Sequence, residues 1–197
     1  MNPSKLLDWR NRTAVILASG PSLTVEQAQA VTHLPSITTN STHELAPWAD
    51  VHYACDFLWW RLNYSKVQHK SSCWTQDRMS AERFGINWVR QDAKPGLGTT
   101  NLRVNGNSGF GAINLAYLFG ARRILLLGFD MREVKGRKHW HADHPAPCVQ
   151  SMPFKEWLHK GALLAKELKA AGCTVTNCTV GSALTVFPLS TFEKELA

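Results

Sequence analysis

The sequence predicts an α/β fold, a single Rossmann-like domain over residues 1–197 with a mostly parallel sheet and helices on both faces. Three observations predict it. Short, continuous apolar runs alternate with stretches of helical spacing, the pattern of buried parallel strands joined by crossover helices. The first run closes on Ser19-Gly20-Pro21-Ser22, a turn of small residues at a strand's carboxyl end. A second run, Arg123-Ile124-Leu125-Leu126-Leu127, is fed directly by a helix and closes on Gly128-Phe129-Asp130.

Taken in order, residues 13–18 (TAVILA) form the first predicted strand and 24–31 the helix after it. Residues 36–40 (SITTN) and 51–56 (VHYACD) are the next strands, each ending in a polar residue where a sheet's carboxyl edge faces ligand. A short helix over 57–64 and two short strands, 72–75 and 86–89, follow. Residues 94–108 are rich in Gly, Asn and Thr and too long for an ordinary connector, which makes them a candidate functional loop. The helix predicted over 109–119 presents Ala112, Leu115, Ala116 and Phe119 at three- and four-residue spacing and stops at Gly120. It feeds the strand 123–130. An amphipathic helix over 153–171, stopped by Gly172, and a last strand over 173–177 complete the core, and the tail from 188 to 197 packs or frays.

Composition narrows the function classes. Hydrophobic residues make up 44% and charged residues 19%, which excludes a largely disordered chain. The N-terminus lacks a secretory signal and no run approaches the roughly 20 apolar residues that span a bilayer, so the expectation is a cytoplasmic protein with no membrane partner. Cys55, Cys73, Cys148, Cys173 and Cys178 are odd in number and hold no CxxC pair, which reads as reduced, mostly buried thiols. The net charge of +7 fits a polyanionic partner or phosphorylated small molecules, so nucleic-acid contact stays open.

Two constellations carry chemistry. The turn Ser19-Gly20-Pro21-Ser22 puts small residues where backbone amides approach a phosphate; otherwise it is a tight turn whose Ser22 caps a helix. Asn107-Ser108-Gly109 repeats the device: Ser108 suits a helix cap and Gly109 permits close approach. The second constellation is the string His139-Trp140-His141-Ala142-Asp143-His144. It matches the HxHxDH metal signature of dinuclear hydrolases, but the downstream ligands are missing, since only His159 remains. Three readings stay open: one metal held by two His with Asp143 or Asp130, an acid/base histidine, or a solvated loop. Asp56 and Asp130 close strands at the ligand edge, where they accept from ribose or amine groups, hold Mg²⁺, or cap the next helix. Phe57, Trp59, Trp60 and Tyr64 either stack on a ligand or, as their spacing favours, pack.

The set Ser19-Gly20-Pro21-Ser22-Leu23, Thr39-Asn40, Ser108-Gly109 and Leu127-Gly128-Phe129-Asp130 resembles the bacterial sialyltransferases that carry a Gly-Pro-Ser nucleotide turn. It is also similar to the archaeal-type 6-hydroxymethyldihydropterin pyrophosphokinases and to related uncharacterised proteins, many from phages. The resemblance implies that Gly20, Pro21, Ser22 and Asn40 hold a nucleotide and that Ser108 and Gly109 approach its phosphate. It implies further that His141 or His144 is the base that deprotonates the acceptor hydroxyl. The sialyltransferases also carry a lid with Tyr residues on the leaving phosphate, whereas Tyr53, Tyr64 and Tyr117 here fall in predicted strands or helices, so the donor stays open. The expected function is a nucleotide- or nucleotide-sugar-dependent transferase moving a glycosyl group to a hydroxyl. The alternatives are a Mg-ATP-dependent pyrophosphokinase using Asp56 and Asp130, and a non-enzymatic nucleotide or nucleic-acid binder.

Overall fold

The computed structural model describes residues 7–68, 72–142 and 152–197. In chain order the main elements are β1 (Thr13–Leu17), α1 (Val25–Ala30), β2 (Ser36–Thr39), β3 (Val51–Tyr53), α2 (Phe57–Asn63), β4 (Cys73–Thr75), α3 (Arg78–Phe84), β5 (Asn87–Trp88), β6 (Gln91–Asp92), β7 (Leu102–Arg103), α4 (Ser108–Leu118), β8 (Arg123–Leu127), α5 (Phe154–Ala170), β9 (Thr174–Asn177) and α6 (Phe192–Leu196). Seven strands make one sheet in the order β5-β4-β3-β2-β1-β8-β9, and every pairing is parallel. The remaining two, β6 and β7, form a small parallel ladder of their own.

The period of two along each strand sorts the core into two layers. Ala14, Ile16, Ile37, Val51, Tyr53, Ile124, Leu126 and Val175 face one side and pack with the apolar residues of α4 and α5. Val15, Leu17, Leu125 and Leu127 face the other and pack with Ala28 of α1 and Phe192 and Leu196 of α6. Further along that second face, Cys73 packs with Trp59 and Trp60 of α2 and with Ile86, while Ala81 and Phe84 of α3 lie against the cluster. The aromatic run is therefore packing: Trp60 is fully buried and Trp59 nearly so. Helix α4 is buried from Ser108 to Ala116, and at Gly111 a Cβ would stand 2.7 Å from Tyr53 Oη, so only glycine lets the helix lie this close to the sheet.

Strand order places the ligand edge. The chain leaves β1 toward β2 on one side, and leaves β8 toward β9 on the other. Neighbouring strands whose connections diverge leave a crevice beyond their carboxyl ends, the usual ligand position in an open parallel sheet. Leu17 pairs with Leu127 at that edge, so the Gly20 turn and Asp130 leave the sheet side by side.

Some elements differ from the expectation. Helix α3 lies where only connection was foreseen, capped by Asp77, whose side chain accepts from Ser80 N, and ended by Gly85 at φ 65°. The strand predicted to run to Asp130 stops at Leu127, because Gly128 turns the chain at φ 73°. The tail does not fray: α6 packs on the second core layer, and Arg123 meets Glu195 at 2.9 Å. The four described cysteines are free thiols, with Cys73, Cys173 and Cys178 buried and Cys55 half-buried; Cys148 lies outside the described residues. No described helix is long and apolar enough to cross a membrane.

Candidate functional site

A cleft of about 220 Å³ opens at the β1–β8 crevice. Its walls include Ser19, Gly20 and Pro21 after β1, Asn40 after β2, Cys55 and Asp56 after β3, and Asp130, Met131 and Arg132 after β8. Asn107, Ser108 and Gly109 open α4 into it, Lys138 and His139 join from the loop beyond Arg132, and Met152, Phe154 and Trp157 make an apolar wall. Of the residues expected in the site, all but Ser22, His141 and His144 line this one cavity. Ser22 stands beside it, bonded to Asp130. His141 does not line it, and His144 lies outside the described residues.

The Gly20 turn is built around a carboxylate. Gly20 N–H donates to Gly128 O at 2.9 Å, while Ser22 donates to Asp130 Oδ2 twice, from its amide at 3.3 Å and its hydroxyl at 2.9 Å. A Cβ on residue 20 would stand 2.1 Å from Asp130 Oδ2 and 2.3 Å from Gly128 O, so the close approach needs glycine. Ser22 does not cap α1. Thr24 does so through a capping box with Gln27, and α1 has only six residues. Ser19 is buried, its hydroxyl set between Thr39 O and Thr42 Oγ1.

Asp130 is held from both sides. Beyond β9, Ala183 N donates to Asp130 O, Thr179 Oγ1 accepts from Phe129 N, and Ser182 Oγ donates to Phe129 O. Asn177, fully buried, orders that loop through Ser182 Oγ and Leu184 O. These supporting residues were missed in the sequence; their signal is a run of Asn, Thr and Ser leaving the last strand at the ligand edge. Asp130 is 2% exposed, and its Oδ1 is buried with no hydrogen-bond partner among the described residues. Burial raises its carboxyl above the ordinary carboxylate range, against the lowering effect of Ser22 and of Arg132.

The other wall is the amino end of α4. The cap is Asn107 rather than Ser108: its Oδ1 accepts from Phe110 N at 2.9 Å, because Asn107 is the extended residue before the first turn. Its Nδ2 is buried without a partner among the described residues. Ser108, already inside the helix, donates to Asn40 Oδ1 at 3.1 Å and lies 3.1 Å from Cys55 Sγ, tying the ends of β2 and β3 to α4. Gly109 leaves room for the Phe129 ring, which a Cβ would meet at 2.8 Å. The amides of Ser108 and Gly109 belong to the first turn and have no intrahelical acceptor. Burial and the neighbouring Asp56 carboxylate push the Cys55 thiol up, so it stays protonated. Asp56 precedes α2 without bonding its first-turn amides, and accepts from the Cys55 thiol at 3.3 Å.

Two non-glycine residues on the cleft wall have left-handed backbones, Asn40 at φ 48° and Met131 at φ 51°. Such conformations concentrate at sites where side-chain placement overrides local preference. The loop 94–106 is fixed by buried amides. Asn114 Oδ1 accepts from Gly98 N and Arg103 N, its Nδ2 donates to Gly98 O, and Asn105 closes a reciprocal pair with Gly96.

No protein-family model, curated protein or solved structure matches the chain.

The histidine loop folds back over the Gly20 turn. Trp140 donates through its amide to Ser19 O at 3.1 Å and through its indole to Thr42 Oγ1 at 3.3 Å. The His139 and His141 rings stack, 4.9 Å between centroids and 2° from parallel. His141 Nδ1 lies 2.6 Å from Ala142 O, which places a proton on that nitrogen. Of the two described histidines of this loop, His139 rather than His141 lines the cleft. Among the described residues no group of three or more His, Cys, Asp or Glu side chains could hold a metal ion; Asp143 and His144 lie outside them.

Proposed function

We propose that the chain is a transferase that binds a nucleotide or nucleotide-sugar across the β1–β8 crevice and moves a glycosyl group to a hydroxyl acceptor. One observation carries this reading. The amino end of an eleven-residue helix opens on a cleft at the sheet's switch point, and Asp130, a buried carboxylate whose Oδ1 has no hydrogen-bond partner among the described residues, lines the same cleft.

The phosphates sit at the Ser108 and Gly109 amides, where the α4 dipole is positive, with Lys138 and Arg132 on the same cavity supplying positive charge and His139 beside them. The Gly20 and Ser22 amides are already spent on Gly128 and Asp130, so the phosphate role foreseen for the first turn passes to α4. Phe154 and Trp157 offer the apolar surface for a base or sugar ring. On transfer, the acceptor oxygen bonds to the donor carbon as the bond to the phosphate oxygen breaks. The leaving phosphate keeps that electron pair, stabilised by α4, and the acceptor's proton passes to a base on the cleft wall.

A thermal-shift and calorimetric panel of nucleoside mono- and diphosphates, nucleotide-sugars and ATP, with and without Mg²⁺, tests this reading. A nucleotide-sugar should stabilise the parent protein, and Lys138→Glu should weaken its binding about 10- to 100-fold, the worth of a hydrogen bond to a charged group. Stabilisation by Mg-ATP alone would favour phosphoryl transfer. No response to any member would refute the nucleotide reading.

A further inference from the structure

Asp56 stands where a helix cap belongs and does not cap. It precedes α2 with an extended backbone, φ −107° and ψ 134°, yet its side chain bonds none of the first-turn amides. Instead its Oδ2 accepts from Cys55 Sγ at 3.3 Å, and the same sulfur lies 3.1 Å from the hydroxyl of Ser108, the first residue of α4. The carboxylate is thus turned to the corner where α4 opens, and Asp56, half-buried, lines the cleft there. We infer that Asp56 is a specificity residue: it accepts from adjacent hydroxyls of a neutral sugar ring and so fixes which way the phosphorylated ligand lies. The inference rests on the nucleotide reading above and names what lies beside the phosphates.

Charge sets the orientation. Because one sulfur touches both groups, Oδ2 lies at most two hydrogen-bond lengths, about 6 Å, from Ser108 Oγ. A phosphate at the Ser108 and Gly109 amides meets Asp56 as a like charge, so the uncharged part of the ligand faces the carboxylate. Arg132 and Lys138 line the opposite end, in the segment that follows β8. Strands β3 and β8 have β2 and β1 between them, three strand spacings or about 14 Å. The cleft therefore has a negative end and a positive end. Phosphates run from α4 toward β8, and the ring attached to them lies toward β3.

A carboxylate is an acceptor at both oxygens, and neighbouring ring hydroxyls supply two donors. Such a residue beside phosphates can also act through Mg²⁺. The other carboxylate on the cleft wall among the described residues, Asp130, follows β8 and is already bonded by Ser22. Among the described residues no group of three or more His, Cys, Asp or Glu side chains could hold a metal ion, which favours hydroxyls over metal as the partner of Asp56. The ring is either the ribose of the nucleotide or the sugar to be transferred.

Calorimetry in EDTA on the parent and on Asp56→Asn tests this with three kinds of probe. They are inorganic diphosphate; the diphosphates of uridine, cytidine, adenosine and guanosine with their 2′-deoxy counterparts; and the glucose conjugates of the four diphosphates. Asp56→Asn should bind inorganic diphosphate about 2- to 10-fold more tightly, because the repulsion is gone. It should bind the ring-bearing ligand about 10-fold more weakly, because hydrogen bonds to a charged group are lost. A distorted cleft would weaken both, so the opposite signs mark direct contact. If the ring is ribose, the parent prefers the ribonucleotide to its 2′-deoxy form and the variant does not. If it is the transferred sugar, the glucose conjugate binds the parent more tightly than the bare nucleotide does, and the variant loses that gain. Unchanged affinity for ring-bearing ligands, or a loss shared by diphosphate, overturns the role of Asp56 and leaves the nucleotide reading standing. A difference between parent and variant that emerges only when Mg²⁺ replaces EDTA assigns Asp56 to metal and likewise overturns it. Failure of every probe to bind the parent overturns both readings together.

Discussion

Replacing Gly20 by alanine puts one methyl group where the structure has no room. Its Cβ would lie 2.3 Å from Gly128 O and 2.1 Å from Asp130 Oδ2. The carboxylate can rotate away, but the carbonyl cannot, because Gly128 lies equally close to β1: a Cβ there would meet Ala18 O at 2.5 Å. Relief therefore requires the two strand exits to part by about 1 Å, which breaks the 2.9 Å bond from Gly20 N to Gly128 O. Overpacking costs about 1–3 kcal/mol and the lost hydrogen bond about 1 more. At about 2–4 °C per kcal/mol for a chain of this length, the expected fall in Tm is roughly 5–15 °C. A circular dichroism melt of Gly20→Ala against the parent measures it. A fall of less than about 2 °C would mean that the turn and Gly128 are not in the contact described here, and the reasoning built on it would fail.

Asn114→Ala should free the loop 94–106, because three hydrogen bonds, two buried ones with Gly98 and a part-buried one from Arg103, disappear together. The expected loss is about 3 kcal/mol or more, with faster hydrogen exchange at the Gly98 and Arg103 amides; parental exchange rates there would contradict it. Asp130 has a raised carboxyl in the fold, so its stabilising contribution is present below the ordinary carboxylate pKa and is lost as pH rises through the raised value. The Tm of Asp130→Asn minus that of the parent should therefore be more positive at pH 7 than at pH 4, and a pH-independent difference would count against the burial argument. His52 is fully desolvated and held neutral, well below the ordinary histidine value. As pH falls below about 6.5 the unfolded chain takes up the proton first, and stability declines. His52→Leu should lessen the drop in Tm between pH 7 and 5.5, Thr38 retaining Val51 O as a partner; an equal drop would assign the acid sensitivity elsewhere.

The sheet was legible because its strands are apolar on both faces. Val15, Ile16 and Leu17, and likewise Leu125, Leu126 and Leu127, are buried whichever way they point, so a continuous run marks them. Helix α3 was not legible, since Arg78–Phe84 carries few apolar residues and declares itself only through Asp77 and Gly85 at its ends. The two-residue strands β6 and β7 are too short for any periodicity and depend on Asn114 and Asn105, which organise their loop from a distance. At the site, Gly20, Asn40, Asp56, Ser108 and Asp130 were found because polar and small residues at strand ends stand out against apolar runs. What those residues bond to was hidden. Ser22 and Asp130 are 108 positions apart, and no local pattern tells that one clamps the other. The place of His139 was hidden for the same reason: the fold of the loop over Ser19, not its sequence, brings that histidine to the cleft.

The central claim is that a nucleotide's phosphates bind at the amino end of α4 in the β1–β8 crevice. The most direct measurement is a titration of the nitrogen-15-labelled protein with a nucleoside diphosphate, following each backbone amide. The account predicts the largest shifts at Ser108 and Gly109, with smaller ones at Lys138 and His139. Saturable binding that leaves Ser108 and Gly109 unmoved, or no binding at all, would contradict it.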